Sequence, residues 1–218
     1  MGAPGLDFGE LLQDQLAHAD RWFASDELAF LALTSKVELP IRDRLAYSLY
    51  QELPGLLVAR EWRRVDLAVL SREGDPAPRM LLEAKALYTF DLVGDDSWVR
   101  RFPDKVERDL ENLRGMEGLT DATELFGLVL ATHPVAPVEI GLKQVAKYSG
   151  GIAKALTALG DADSVAQEAR RNLESRLGHL GRLHRGRIAA GKAYGVPLDV
   201  HYWLVGPIGR VRPPMPPT

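Results

Sequence analysis

Charges set inside two neighbouring apolar runs constrain this chain more than any other feature of its 218 residues. One run is Arg64-Val-Asp-Leu-Ala-Val-Leu-Ser71. The other is Met80-Leu-Leu-Glu-Ala-Lys-Ala86, and the turn-forming Glu73-Gly74-Asp75-Pro76 lies between them. Short apolar runs punctuated by such turn residues predict consecutive β-strands, and with Leu56 to Glu61 ahead of them they predict a three-strand meander. Side chains alternate across a strand, so Glu83 and Lys85, two positions apart, point to one face of the sheet. Asp66 stands amid the neighbouring strand. An unpaired buried carboxylate is costly, and two side by side raise each other's pKa unless a cation lies between them.

The chain has no cysteine, which removes disulfides, thiolate zinc sites and a thiol nucleophile and leaves oxygen or imidazole ligands for any metal. A hard divalent ion such as Mg²⁺ takes one or two carboxylates, water and a phosphate oxygen. Asp66 and Glu83 offer that pair, with the backbone carbonyl of Ala84 as a further ligand. Phosphodiester hydrolysis is the natural reaction: the cation polarises the phosphoryl oxygen, and the Lys85 ammonium positions the nucleophile or steadies the transition-state charge. The plain alternative is a cross-strand ion-pair network of Asp66, Glu83 and Lys85 with no catalytic role.

Along the rest of the chain, residues 7 to 34 space Leu, Phe and Trp as one or two amphipathic helices do. Ser35 and Glu38 fit a capping box that opens a helix over 36–53, ended by Pro54-Gly55. Residues 97–114 put Val106, Leu110 and Leu113 on one face of a charge-laced helix beginning near Pro103. Leu125 to Thr132 has the unbroken apolar character of a central strand. Helical segments are expected over 138–159 and 164–192, a last strand over Asp199 to Val205, and an extended Pro-rich tail over 207–218.

Asp66 and Glu83-Ala84-Lys85, in the order helix, three strands, helix, strand, resemble the PD-(D/E)xK, or restriction-endonuclease-like, nucleases across roughly residues 36–132. The proline common just before the family's aspartate is Val65 here. The resemblance implies a three-layer α/β/α fold around a mixed central sheet, with a helical N-terminal extension over 1–35 and added C-terminal helices within a nuclease-like domain over 36–206. It implies a metal-dependent nuclease, a DNA endonuclease using Mg²⁺ with Mn²⁺ able to substitute, in a restriction, defence or repair setting. RNA stays open as a substrate, and a homodimer or a larger defence or repair assembly fits the size. A further acidic residue on the helix before the first strand is expected to hold a second metal or a water. Glu38 matches that position, with the capping box as its other reading, and Glu52 comes second. The alternative within the family is a catalytically silent module that binds nucleic acid or protein. Gln144-Val-Ala-Lys-Tyr148 has the letters of a Gln-x-x-x-Tyr motif but lies far beyond its place, so packing is its expected role.

A net charge of −3 gives no global sign of nucleic-acid binding, yet the charge is segregated. Between Ser164 and Lys192 six arginines and one lysine stand against two glutamates, a surplus of five, leaving −8 elsewhere. Arg170, Arg171, Arg182, Arg185 and Arg187 are therefore expected to meet DNA, together with Lys105 and Lys143; Lys105, Arg108 and Lys143 are otherwise ordinary solvated helix charges. His133, His179, His184 and His201 lack metal-ligand spacing, and His133 is the one expected near the edge of the site. The N-terminal stretch has no secretory pattern, and Leu125 to Val138 is too short and too proline-broken to span a bilayer, so a cytoplasmic protein without membrane contact is expected.

Overall fold

In a computed structural model, which describes residues 6–208 apart from 73, 75 and 95, the chain forms a mixed α/β structure. Among the described residues there are six α-helices and one six-stranded sheet. Helices α1 (Phe8–Ala17), α2 (Glu27–Thr34) and α3 (Glu38–Glu52) lead into strands β1 (Leu56–Trp62), β2 (Val65–Ser71) and β3 (Pro78–Tyr88). Helix α4 (Asp96–Arg114), strand β4 (Glu124–Pro134), helices α5 (Ser149–Leu159) and α6 (Ala162–Leu177), and strands β5 (Leu183–Ala193) and β6 (Val196–Val205) follow. The expected extended tail over 209–218, residues 1–5, and Glu73 and Asp75 of the expected turn lie outside the described residues. No helix is long and apolar enough to cross a membrane, among the described residues.

The strand order is β1-β2-β3-β4-β6-β5. The meander β1-β2-β3 is antiparallel, β3 and β4 run parallel, and β4-β6-β5 is antiparallel again. A parallel β3-β4 pair needs a crossover, and α4 supplies it. Alternation then divides the apolar side chains between two faces. Met80, Leu82, Ala84, Phe126, Leu128 and Val200 pack with residues of α1, α2 and α3, among them Leu12, Leu33, Ile41 and Leu45. On the opposite face Leu81, Leu125, Val129 and Trp203 pack with Val106 and Leu110 of α4 and with Leu173 of α6. The helices α1 and α2, expected as an extension, thus join α3 in covering one face of the sheet.

Four local expectations change, the first being the helix expected over 138–159, which begins only at Ser149. Residues 183–192, expected to continue a helix from 164, form strand β5: α6 stops at Leu177 before Gly178, and Ile188 and Ala190 alternate inward while Arg185 and Arg187 face the other way. The tight turn Tyr194-Gly195, with both φ positive, closes β5 onto β6. The capping box at Ser35 and Glu38 does not form. The Ser35 hydroxyl donates back to the Leu31 carbonyl at 3.1 Å, and Glu38 reaches away to the sheet. Helix α4 runs N-terminally through Pro103 to Asp96. At the β1-β2 hairpin the two-residue turn is Arg63-Arg64, with φ of +49° and +72°. A side chain in the left-handed region costs on the order of 1 kcal/mol or more per residue.

Candidate metal and hydrolytic centre

Pairing between β2 and β3 stops at Leu67 with Leu82, while β3 continues beside β4 to Tyr88. From Glu83 onward the β2-facing edge of β3 has lost its strand partner, and its backbone N–H groups need other acceptors. Three carboxylates supply them in succession. The Ala84 N–H donates to Asp66 Oδ2 at 2.8 Å, the Ala86 N–H to Glu38 Oε2 at 2.9 Å, and the Tyr88 N–H to Asp91 Oδ2 at 2.9 Å. The N–H and C=O of an extended residue point to the same side, so the Ala84 carbonyl faces this carboxylate-lined edge as well.

Each carboxylate is brought there by a different element. Asp66 shares its strand face with Ala68 and Leu70, and Glu83 and Lys85 share that of Leu81 and Leu87, which is the α4 face for both strands. Glu38 arrives from the opposite layer at the first residue of α3. The Tyr88 hydroxyl fixes this junction by donating to the Ala32 carbonyl at 2.9 Å and, more weakly, to that of Ser35 at 3.2 Å.

The electrostatics follow from crowding. The Glu83 carboxyl shares a hydrogen bond with Asp66. Burial first, and then that bond and the Asp66 charge, push its pKa up to about 8 against the pull of Lys85. Lys85 Nζ lies 3.2 Å from Asp109 Oδ2 of α4, a contact of charges more than an aligned hydrogen bond, since that oxygen has no hydrogen-bond partner among the described residues. Burial pulls the ammonium's pKa down, but Asp109, Glu38 and Glu83 together outweigh it and hold it above lysine's ordinary value. Arg42, 5% exposed, sits behind Asp66. Its Nη1 is 3.5 Å from Asp66 Oδ1 and 3.2 Å from Glu61 Oε1, and its Nε and Nη2 donate to Asp43 Oδ1 at 3.0 and 2.9 Å.

No group of three or more His, Asp or Glu side chains is placed to hold a metal ion, among the described residues. A cation here would rest on Asp66, Glu83, the Ala84 carbonyl and water, which suits Mg²⁺ better than a metal needing a closed set of side chains. The proton on Glu83 fits that donor set: two carboxyls that share a hydrogen bond could share a divalent ion in its place.

A pH dependence follows with a definite sign. Between the ordinary carboxyl value of 4.5 and about 8 the folded chain keeps a Glu83 proton that the unfolded chain has released. This group's contribution to stability is therefore lost as pH rises through that window. A cation must displace the same proton, so Mg²⁺ affinity is expected to rise about tenfold per pH unit below 8 and level off above it. Calorimetry in buffers of different ionisation enthalpy checks this. Close to one proton should be released per ion bound at about pH 6.5, and release of none would count against a cation between Asp66 and Glu83.

Of the other expected residues, Lys105 comes to the centre, lining a cleft of about 190 Å³ with Glu38, Lys85, Ala86 and Phe102. The rest do not form one surface with it. Lys143 is exposed in the segment after β4. Arg170 and Arg185 are both tied to Glu174, at 3.1 and 2.6 Å, and Arg187 to Asp199 at 3.2 Å, around a separate cavity of about 340 Å³ floored by His201 and Trp203. Arg171 pairs with Glu168, and Arg182 lines a third cavity with Glu10 and Glu124. Glu52 is exposed at the far end of α3. His133 is 3% exposed, 3.0 Å from the Thr89 hydroxyl and edge-on to His201, and burial lowers its pKa to about 4, so it is a neutral packed side chain. Gln144 is exposed, whereas Tyr148 packs edge-on to Tyr88. Arg42, Asp91 and Asp109 complete the centre and carried no sequence signal beyond being charges on amphipathic segments.

No protein-family model, no curated protein and no solved structure matches the chain.

Proposed function

We propose that the chain is a Mg²⁺-dependent nuclease of the PD-(D/E)xK kind, hydrolysing phosphodiester bonds in DNA. One observation carries the reading: Asp66, Glu83 and Lys85, with Glu38 from the opposite layer, gather along the unpaired edge of β3 between Glu83 and Ala86. The order of helix, antiparallel meander, crossover helix and parallel strand supports it further.

In this reading Asp66, Glu83 and the Ala84 carbonyl hold the ion, which supplies Lewis-acid stabilisation of phosphoryl charge. Lys85, protonated and held between Asp109 and the carboxylates, presents a positive charge to the nucleophile or to the transition state. Glu38 Oε2 is committed to the Ala86 amide, which leaves Oε1 to orient a water or support a second ion. Arg42 holds Asp66 from behind.

The test is incubation of the purified chain with supercoiled, linear, branched and single-stranded DNA and with RNA, in Mg²⁺, Mn²⁺ or EDTA. Cleavage of DNA in either metal and none in EDTA is the expected result. Cation-independent cleavage, or no cleavage of any substrate, goes against the reading. Retained DNA binding without cleavage would instead favour the catalytically silent form, for which the Lys85 and Asp109 pair is the supporting contact.

A further inference from the structure

The β1-β2 hairpin turns through Arg63-Arg64, two side-chain-bearing residues with φ of +49° and +72°, and Glu61 just before them has φ of +56°. A two-residue turn of this hand favours Asn-Gly or Asp-Gly, because both central residues must be left-handed. The chain's other such turn follows that chemistry, with Gly195 in its second position at φ of +80°. Backbone strain of this kind persists where the surroundings enforce it, and it concentrates at binding sites.

The surroundings are specific. Arg42 holds Glu61 at 3.2 Å from the same guanidinium that approaches Asp66, which links the turn to the centre. The Arg63 guanidinium lies 4.6 Å from the Trp62 ring centroid, and its Nη1 runs beside Gly118 after α4. Both arginines are exposed, and both line one cleft of about 450 Å³ with Glu83, Lys85, Asp109 and Asn112. Neither has a carboxylate within ion-pair distance, among the described residues. The Arg60 guanidinium nearby is by contrast 2.8 Å from Asp43. Two cationic forks are thus held in a strained turn, without an ion-pair partner among the described residues, in the lining of the cleft that contains Glu83 and Lys85.

We propose that Arg63 and Arg64 grip the backbone phosphates of the DNA being cut, fixing the strand across the cleft so that one phosphodiester lies at Glu83 and Lys85. The inference rests on the nuclease reading and names where its substrate is held. Guanidinium forks match phosphate oxygens in pairs and contact the backbone without regard to base sequence. The turn's hand is what sets both forks at the cleft, and this is the use to which the strain is put.

The test compares the parent with the double variant Arg63→Asn, Arg64→Gly, which installs the turn's preferred residues, and with Arg63→Lys, Arg64→Lys, which keeps the charge. Binding of a duplex of about 20 base pairs is followed by fluorescence anisotropy in EDTA across a salt series, with thermal melts alongside. The Asn-Gly variant is expected to melt at or above the parent, to bind about tenfold more weakly, and to lose about two from the slope of log K against log salt. The double-lysine variant is expected to keep the slope. Binding and slope equal to the parent's in the Asn-Gly variant would overturn the proposal, and so would a fall in its melting temperature, which would make the arginines part of the fold. A parent that binds no duplex overturns it too. Because binding is read without metal, this outcome is separable from the chemistry: a chain that never cleaves can still show the loss, and a chain that cleaves can fail to show it.

Discussion

Asp66→Asn and Lys85→Ala are each expected to leave a folded protein and, on the proposed reading, to slow Mg²⁺-dependent cleavage by about 10³-fold or more. Asparagine keeps the shape of Asp66 and can still accept the Ala84 N–H through its side-chain oxygen, so the edge of β3 stays closed. What is lost is the charge that a divalent ion requires. Lys85 is held among Asp109, Glu38 and Glu83, and alanine there removes the cation that, in the proposed reading, faces the reacting phosphate. The two losses act on one transition state, so the double variant should be little slower than either single one. Cleavage by stopped assay, with circular dichroism and a thermal melt as folding controls, measures this. Either purified variant cutting at the parent rate would remove the residue from the chemistry.

Arg42→Met should cost about 2–3 kcal/mol, lowering the melting temperature by about 4–12 °C. Removing one partner of a buried ion pair leaves the other charge uncompensated, and Arg42 serves three carboxylates. The full penalty of a buried pair is not expected, because the Asp43 and Glu61 side chains are 39% and 71% exposed and water can take over there. Asp66, at 17%, has no such recourse. A divalent ion beside Asp66 can stand in for the guanidinium, so Mg²⁺ should raise the melting temperature of the variant more than that of the parent. Melts with and without Mg²⁺ decide it, and a variant that melts with the parent in both conditions contradicts the role given to Arg42.

The meander and the placement of Asp66, Glu83 and Lys85 on one face were legible in the sequence because a strand's period of two is strict: Glu83 and Lys85 must share a face, and Asp66 stands out in Val-Asp-Leu-Ala-Val-Leu. What remained hidden depends on contacts between distant segments. Arg42 in Leu-Pro-Ile-Arg-Asp and Asp109 in Glu-Arg-Asp-Leu-Glu look like solvated helix charges, and only the packing of α3 and α4 turns them inward. Ser35 and Glu38 have the letters of a local cap, but the unpaired Ala86 amide is the stronger claim on that carboxylate. Strand β5 has the letters of a helix because Arg, Ala and His are acceptable there, and its alternation of Gly186, Ile188 and Ala190 is faint where two of the three inward residues are small. Arg170, Arg185 and Arg187 gather round one cavity but are paired with Glu174 and Asp199, and Arg182 lines another, so the surplus of charge over 164–192 does not amount to one binding surface.

The edge of β3 that carries the site has a use of its own. Each of three alternate amides, at Ala84, Ala86 and Tyr88, is covered by a single named carboxylate: Asp66, Glu38 and Asp91. Their individual hydrogen-exchange rates are therefore three independent gauges, one for each acid, readable without substrate and without turnover. When an ion or a ligand draws one carboxylate away, its own amide alone should begin to exchange faster, and the order in which the three respond would trace which acid moves first.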